Sequence, residues 1–120
     1  MENIIHLDPY VHKIIKEHLP NKKVCNKLAY FYSIFSDSTR LKILVTLLLS
    51  EMCVNDLTNI LELNQTTVSH QLKILKASGV VSTTRRNKYI FYKVTDKFIE
   101  LIMLNGFDYI LDKQPTKKVI

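Results

Sequence analysis

Cys53 and Asp56 stand three residues apart, a spacing that on a helix puts a thiol and a carboxylate on one face. Thiolate plus carboxylate suits zinc, provided two further ligands arrive. A second group lies downstream. On a helical wheel Thr66, His70 and Lys73 fall opposite Val68, Leu72 and Leu75, with Ser69 on the flank and Thr67 beside Thr66. Hydroxyls and an imidazole can reach base edges, and a lysine can hold backbone phosphate. Arg85, Arg86 and Lys88 follow within one short segment, suited to gripping phosphates or entering a minor groove. A catalytic reading fares worse. His70 has no acid in its own motif to orient it, and no Ser/His/Asp cluster is local.

Charge placement favours the nucleic-acid reading. The 120-residue chain carries 17 basic and 11 acidic residues, a net charge of +6. Between Glu62 and Asp96 there is no acid, while Lys73, Lys76, Arg85, Arg86, Lys88 and Lys93 are all basic. The remainder of the chain is neutral, so the whole excess sits in one window. Such a surface attracts a polyanion and steers its approach. Only two glycines are present, which excludes a glycine-rich nucleotide loop. Two cysteines are too few for a disulfide scaffold and suit a reducing compartment. Apolar runs are far shorter than the ~20 residues a bilayer requires. The first twenty residues carry five charged side chains, unlike a secretory signal. A cytoplasmic protein without membrane association is expected.

These residues need elements to position them. Asp8-Pro9 reads as a cap and first turn, opening a helix to about Leu19 that Pro20 ends. Asn21 can cap a second helix to about Phe35. Ser36-Asp37-Ser38 breaks that run and caps a third, Thr39 to Leu49, apolar on most sides and so central. Two short helices follow: Val54 to Glu62, with Leu57, Ile60 and Leu61 inward, and Gln65 to about Ser78, closed by Gly79. Their short connection has the proportions of a helix-turn-helix. After Gly79 the period changes from helical to alternating. Val80–Thr84 and Lys88–Val94 read as strands, with Arg85-Arg86-Asn87 as the turn of a basic-tipped hairpin. Thr95 caps a last helix, Asp96 to about Asp112, apolar nearly all round and in need of a cover that a second protomer would supply. Helix-turn-helix plus basic hairpin is a winged helix. The expected fold is mainly α with one β-hairpin, a single domain over residues 1–113. It contains an arm and first helix (1–20), the helix-turn-helix (54–79), the wing (80–94) and a dimerisation helix (95–113), and a flexible tail (114–120) follows it.

Three stretches carry a family resemblance. Phe35-Ser36-Asp37-Ser38-Thr39-Arg40-Leu41-Lys42-Ile43-Leu44, Glu51-Met52-Cys53-Val54-Asn55-Asp56-Leu57 and Val68-Ser69-His70-Gln71-Leu72-Lys73-Ile74-Leu75 resemble the ArsR/SmtB family of bacterial metal-responsive repressors. The match runs from about Val24 to Asp112 in the family's order of elements. It implies a homodimer, joined through the first and last helices, that binds double-stranded operator DNA and leaves it when an inducer binds.

The resemblance also bears on the inducer. In family members that sense zinc, cadmium or lead, the cysteine at the position of Cys53 is a ligand, and in the zinc pattern the aspartate three on joins it. The family brings the other ligands from the partner's N-terminal arm. Ungapped counting puts these near His6 and Tyr10; His6 suits the role, and His12 or Asp8 would replace the tyrosine. Many cadmium and lead sensors carry a second cysteine where this chain has Asn55, which favours zinc. The family's other regulatory site falls on Asp96, Phe98, Tyr109 and Asp112, where both histidines are missing, so that site is read as lost. Cys25 lies beside an apolar stripe and reads as packing. A Cys25–Cys53 thiol switch ranks below the metal, because family members that sense oxidants place their thiols elsewhere. A winged helix that docks on protein without reading DNA is the rival from another class.

Overall fold

The computed structural model describes residue 4 and residues 6–113, in two compact units that meet between Tyr32 and Ser33. The expected tail at 114–120 lies outside the described residues. The first unit holds α1 (Pro9–His18) and all but the last residue of α2 (Lys22–Ser33). Asp8 caps α1 through its Oδ1, which accepts the Tyr10 amide at 2.8 Å, with proline at the first helical position. Asn21 does the same for α2, accepting from the Val24 amide at 2.9 Å. Cys25 is exposed, its thiol donating to the Pro20 carbonyl at 3.7 Å. It is therefore not core packing within the chain, as its neighbouring stripe suggested.

The second unit is built around α3 (Ser38–Leu49), packed by α4 (Val54–Leu61), α5 (Gln65–Ala77) and the hairpin β1 (Val81–Arg86) with β2 (Tyr89–Val94). The last helix, α6, spans Lys97–Asp112. The central position of α3 follows from its sequence, since Ile43, Leu44 and Leu47 are all buried. Thr46, the one polar residue buried with them, is satisfied by donating its hydroxyl to the Lys42 carbonyl at 2.8 Å. Leu57 of α4, Val68, Leu72 and Leu75 of α5, Val80, and Val81 and Val94 of the hairpin close the core. Each full burial of this kind is worth roughly 1.5–3 kcal/mol. Ile60 departs from expectation and is 58% exposed. Val54, Leu57 and Leu61 set the inward face of α4 to one side, and Ile60 falls beyond its edge.

The helix ends are where the sequence speaks most directly. Asp37 caps α3, its Oδ2 accepting the Arg40 amide at 2.9 Å. Asn64 caps α5 through the Thr67 amide at 2.7 Å. Glu62 ends α4 in the left-handed region at φ 54°, an uncommon place for a residue with a Cβ. Gly79 ends α5 at φ +83°. There the Gly79 amide donates to Lys76 and the Val80 amide to Leu75, both at 3.1 Å, with Val80 and Leu75 buried together, a Schellman stop. A Cβ on Gly79 would meet nothing within 4 Å, so the strain of Gly79→Ala is purely conformational. We expect that substitution to cost about 1–2 kcal/mol in urea unfolding, with no loss of helix content by circular dichroism.

Two boundaries differ from the sequence reading. Pairing in the hairpin runs from Val81 opposite Val94 to Arg86 opposite Tyr89, so Arg85 and Arg86 are strand residues and the turn is Asn87-Lys88. Asn87 takes φ 57°, a conformation asparagine tolerates, and closes a two-residue connection. Charged residues favour a turn, yet a strand exposed near its tip accommodates them. Thr95 is not the cap of α6. Asp96 is, with its Oδ1 accepting the Ile99 amide at 3.1 Å. Thr95 instead donates its hydroxyl to the Gly79 carbonyl at 2.7 Å and its amide to Val80 at 2.9 Å, tying the end of the wing to the end of α5.

Candidate nucleic-acid interface

The α5 helix divides by face as its sequence requires. Val68, Leu72 and Leu75 are at most 1% exposed, whereas Thr66, Ser69, His70 and Lys73 are exposed on the other side. Thr67 is half-buried, so it sits at the margin of that outer face. The buried stripe fixes the roll of the helix, and Asn64 and Gly79 fix where it begins and ends. Hydroxyls, an imidazole and a lysine are left presented on a rigid element.

One contact orients α5 that no local pattern announced. Arg40, on the first turn of α3, donates Nη1 to Oε1 of Gln71 at 3.2 Å. The same guanidinium donates Nε to the Ile34 carbonyl at 3.0 Å and Nη2 to the Ser33 carbonyl at 3.3 Å. The three bonds leave from three different nitrogens of one planar fork, whereas an ammonium offers all its donors from a single point.

Beside α5 stands the wing. Arg85, Arg86 and Lys88 are all exposed, with Arg85 and Arg86 on opposite faces of the hairpin because side chains alternate along a strand. Arg85 donates Nε to the Asn87 carbonyl at 3.3 Å, which steadies the turn. Lys88 lies 6.0 Å from the centre of the Tyr89 ring. Arg86 is the engaged member: its guanidinium pairs with Glu51 and stacks over the Phe91 ring, 4.7 Å from the centroid. Glu51 lies outside the acid-free window. Chain counting placed no carboxylate near the wing, and folding brings one there. The route is a short bridge, in which the Met52 amide donates to the Tyr92 carbonyl at 3.1 Å and the Tyr92 amide to Met52 at 2.8 Å. Met52 thus adds a third, one-residue rung to the outer edge of β2.

The thiol–carboxylate pair is formed. Cys53 occupies the cap position of α4 without a side-chain cap bond, and its Sγ donates to Oδ2 of Asp56 at 3.4 Å. The thiol is half-buried beside a cleft of about 220 Å³ lined by Val54, Asn55, Lys88, Tyr89, Ile90 and Tyr92. Two donors this close can serve one tetrahedral ion, and they supply half of what it needs. His6 is exposed and His12 half-buried in the first unit. Among the described residues no three of His, Cys, Asp and Glu gather in one place. Of the second regulatory site, Asp96 is committed to capping α6. No helix among the described residues is long and apolar enough to cross a membrane.

Comparison with known proteins bears on the whole arrangement. The family described as "Bacterial regulatory protein, arsR family" matches residues 37–83, from the cap of α3 into β1. The chain is 33% identical over 81 residues to a cadmium resistance transcriptional regulatory protein CadC homolog of Staphylococcus aureus, covering 67% of each chain. It is 32% identical over 73 residues to a transcriptional repressor SmtB homolog of Synechocystis, covering 61% of this chain and 55% of the other. In structure it is similar to a homodimeric winged helix-turn-helix DNA-binding domain of Mycobacterium bovis, with a TM-score of 0.69 at 21% identity over 81% of this chain and 91% of that one. A helix-turn-helix with a hairpin beside it and relatives that are transcriptional regulators lead to one conclusion: the chain belongs to the ArsR family, transcriptional repressors of the ArsR/SmtB type built on a winged helix-turn-helix.

Proposed function

We propose that the protein is a cytoplasmic, homodimeric repressor that binds an imperfect palindrome in double-stranded DNA and is released by a divalent metal, zinc foremost. The observation that carries the DNA reading is the exposed, acid-free outer face of α5 standing beside the basic hairpin. Thr66, Ser69 and His70 read bases, with Thr67 at the margin. Lys73, Arg85, Arg86 and Lys88 hold phosphates. Two such helices in one dimer would enter successive major grooves about 34 Å apart. Dimerisation is supported by α6, where Leu101, Leu104, Phe107 and Ile110 are each about half exposed. The Mycobacterium bovis domain of the same fold is described as homodimeric.

The inducer reading rests on Cys53 and Asp56. They would hold the metal together with His6 and His12 from the arm of a second copy, completing a sulfur, oxygen and nitrogen set that suits zinc. The CadC relative is described by cadmium resistance, which makes cadmium the first competitor to try, with lead beside it. Bound metal would favour a dimer shape whose recognition helices no longer match the grooves. A coupling of ~1–3 kcal/mol between the two sites is enough for release.

The test is fluorescence anisotropy of the reduced, metal-free protein on DNA from upstream of its own gene, followed by a zinc titration. We expect a complex that zinc dissociates, with Cys53→Ser still binding DNA but ignoring the metal. A complex indifferent to zinc, cadmium and lead would discard the metal and leave a thiol-responsive repressor using Cys53 or the exposed Cys25. Absence of any complex at low salt would favour a winged helix that docks on protein instead.

A further inference from the structure

We propose that Glu51 competes with DNA phosphate for Arg86, so that one phosphate ligand of the wing is held back by a carboxylate of the protein itself. The inference rests on the reading that the wing meets DNA and adds a residue outside both the helix-turn-helix and the hairpin. Carboxylate and phosphate present similar oxygen pairs to a guanidinium, and one guanidinium edge cannot serve both. Arg86 lies back across the hairpin, stacked on Phe91, with its head at Glu51 rather than extended beyond the turn. Glu51 is no free surface side chain. Its neighbour Met52 is pinned to Tyr92 by two backbone hydrogen bonds, and its own side chain is only 30% exposed. The carboxylate is thereby kept in reach of the wing, 35 residues on in the chain. Arg86, at 52% side-chain exposure, is open enough for a phosphate to approach. An ion pair so exposed is weak, and a polyanion can displace it. The result is a wing whose grip is tuned down without being abolished.

The experiment measures salt-dependent binding by fluorescence anisotropy of the wild type, Glu51→Gln, Arg86→Gln and the double variant. Two duplexes are used, the protein's own upstream DNA and a random sequence of equal length. Glutamine keeps the shape of Glu51 and removes its charge. We expect Glu51→Gln to bind both duplexes about 3–10-fold more tightly near 0.1 M salt, with the salt slope little changed, because Arg86 meets phosphate in either protein and only the cost of leaving Glu51 is removed. Arg86→Gln should weaken binding to both duplexes and lower the salt slope by about 0.9, and in that background Glu51→Gln should bring no gain. Unchanged or weaker binding by Glu51→Gln overturns the proposal, and so does a gain that survives in the double variant, which would be general charge removal. Upstream DNA bound no better than random duplex would sink the repressor reading, while the random duplex still decides the competition. If no variant binds random duplex at low salt, there is no phosphate grip to compete for and the proposal falls.

Discussion

Arg40→Ala is expected to lower the free energy of unfolding by about 2–3 kcal/mol. Three acceptors converge on this one guanidinium: the carbonyls of Ser33 and Ile34 and Oε1 of Gln71. Truncation takes this donor from the Ile34 carbonyl and Gln71 Oε1 in a partly buried place, where a hydrogen bond to a charged donor is worth about 1.5–3 kcal/mol and the losses overlap rather than add; the exposed Ser33 carbonyl keeps the Ser36 amide at 3.1 Å. Arg40→Lys keeps the charge yet offers a single point on a flexible stem, so it should recover less than half of the loss. Urea unfolding followed by circular dichroism measures both variants. A lysine as stable as the wild type would show that charge alone matters there and that the fork of bonds contributes nothing. Gln71→Ala separates the two ends of the contact: it removes only the link to α5 and should cost about 1 kcal/mol.

Arg40 also shows which part of this protein could be seen in its sequence. Asp8, Asn21, Asp37, Asn64 and Gly79 punctuate the helices, and each acts on backbone within a few residues of itself, so a linear reading finds them. The wheel on α5 works for the same reason, since one periodic stripe both buries the helix and defines its free face. Arg40 reaches six, seven and 31 residues away, and nothing in its neighbourhood hints that Gln71 lies opposite. Arg86 is a sharper case. The absence of acids between Glu62 and Asp96 is true of the chain and false of the fold, because the rung at Met52 carries Glu51 to the wing. The misplaced hairpin turn has the same origin: Arg85-Arg86-Asn87 looks polar enough to turn, but register is decided by which residues pair across the strands. Val81 opposite Val94, both buried, anchors that register and pushes the turn outward to Asn87-Lys88. A pair such as Cys53 and Asp56 was legible because its spacing is local. His6 and His12, the ligands proposed to join them from a second copy, share no such local spacing with the pair.

The largest effect on DNA binding is expected from the outer face of α5. Thr66→Ala, Ser69→Ala and His70→Ala combined should weaken binding to upstream DNA by at least ~100-fold while changing affinity for a random duplex less than ~3-fold. The asymmetry follows from what each side chain can do. Hydroxyls and imidazole recognise base edges by hydrogen bonds whose loss costs ~1–3 kcal/mol per base pair, a contact that depends on which base is present. Lys73→Ala supplies the contrast on the same helix. It removes a phosphate ligand, so both duplexes should suffer alike and the salt slope should fall by about 0.9. The stability of the fold should not respond to any of these changes, since all four residues are exposed and opposite the stripe of Val68, Leu72 and Leu75. Anisotropy titrations on the two duplexes across a salt series, with unfolding curves alongside, measure all three quantities. Equal losses on both duplexes from the triple alanine variant would mean that the helix lies on the backbone without reading the groove. Specificity would then have to come from the wing and from the deformability of the DNA.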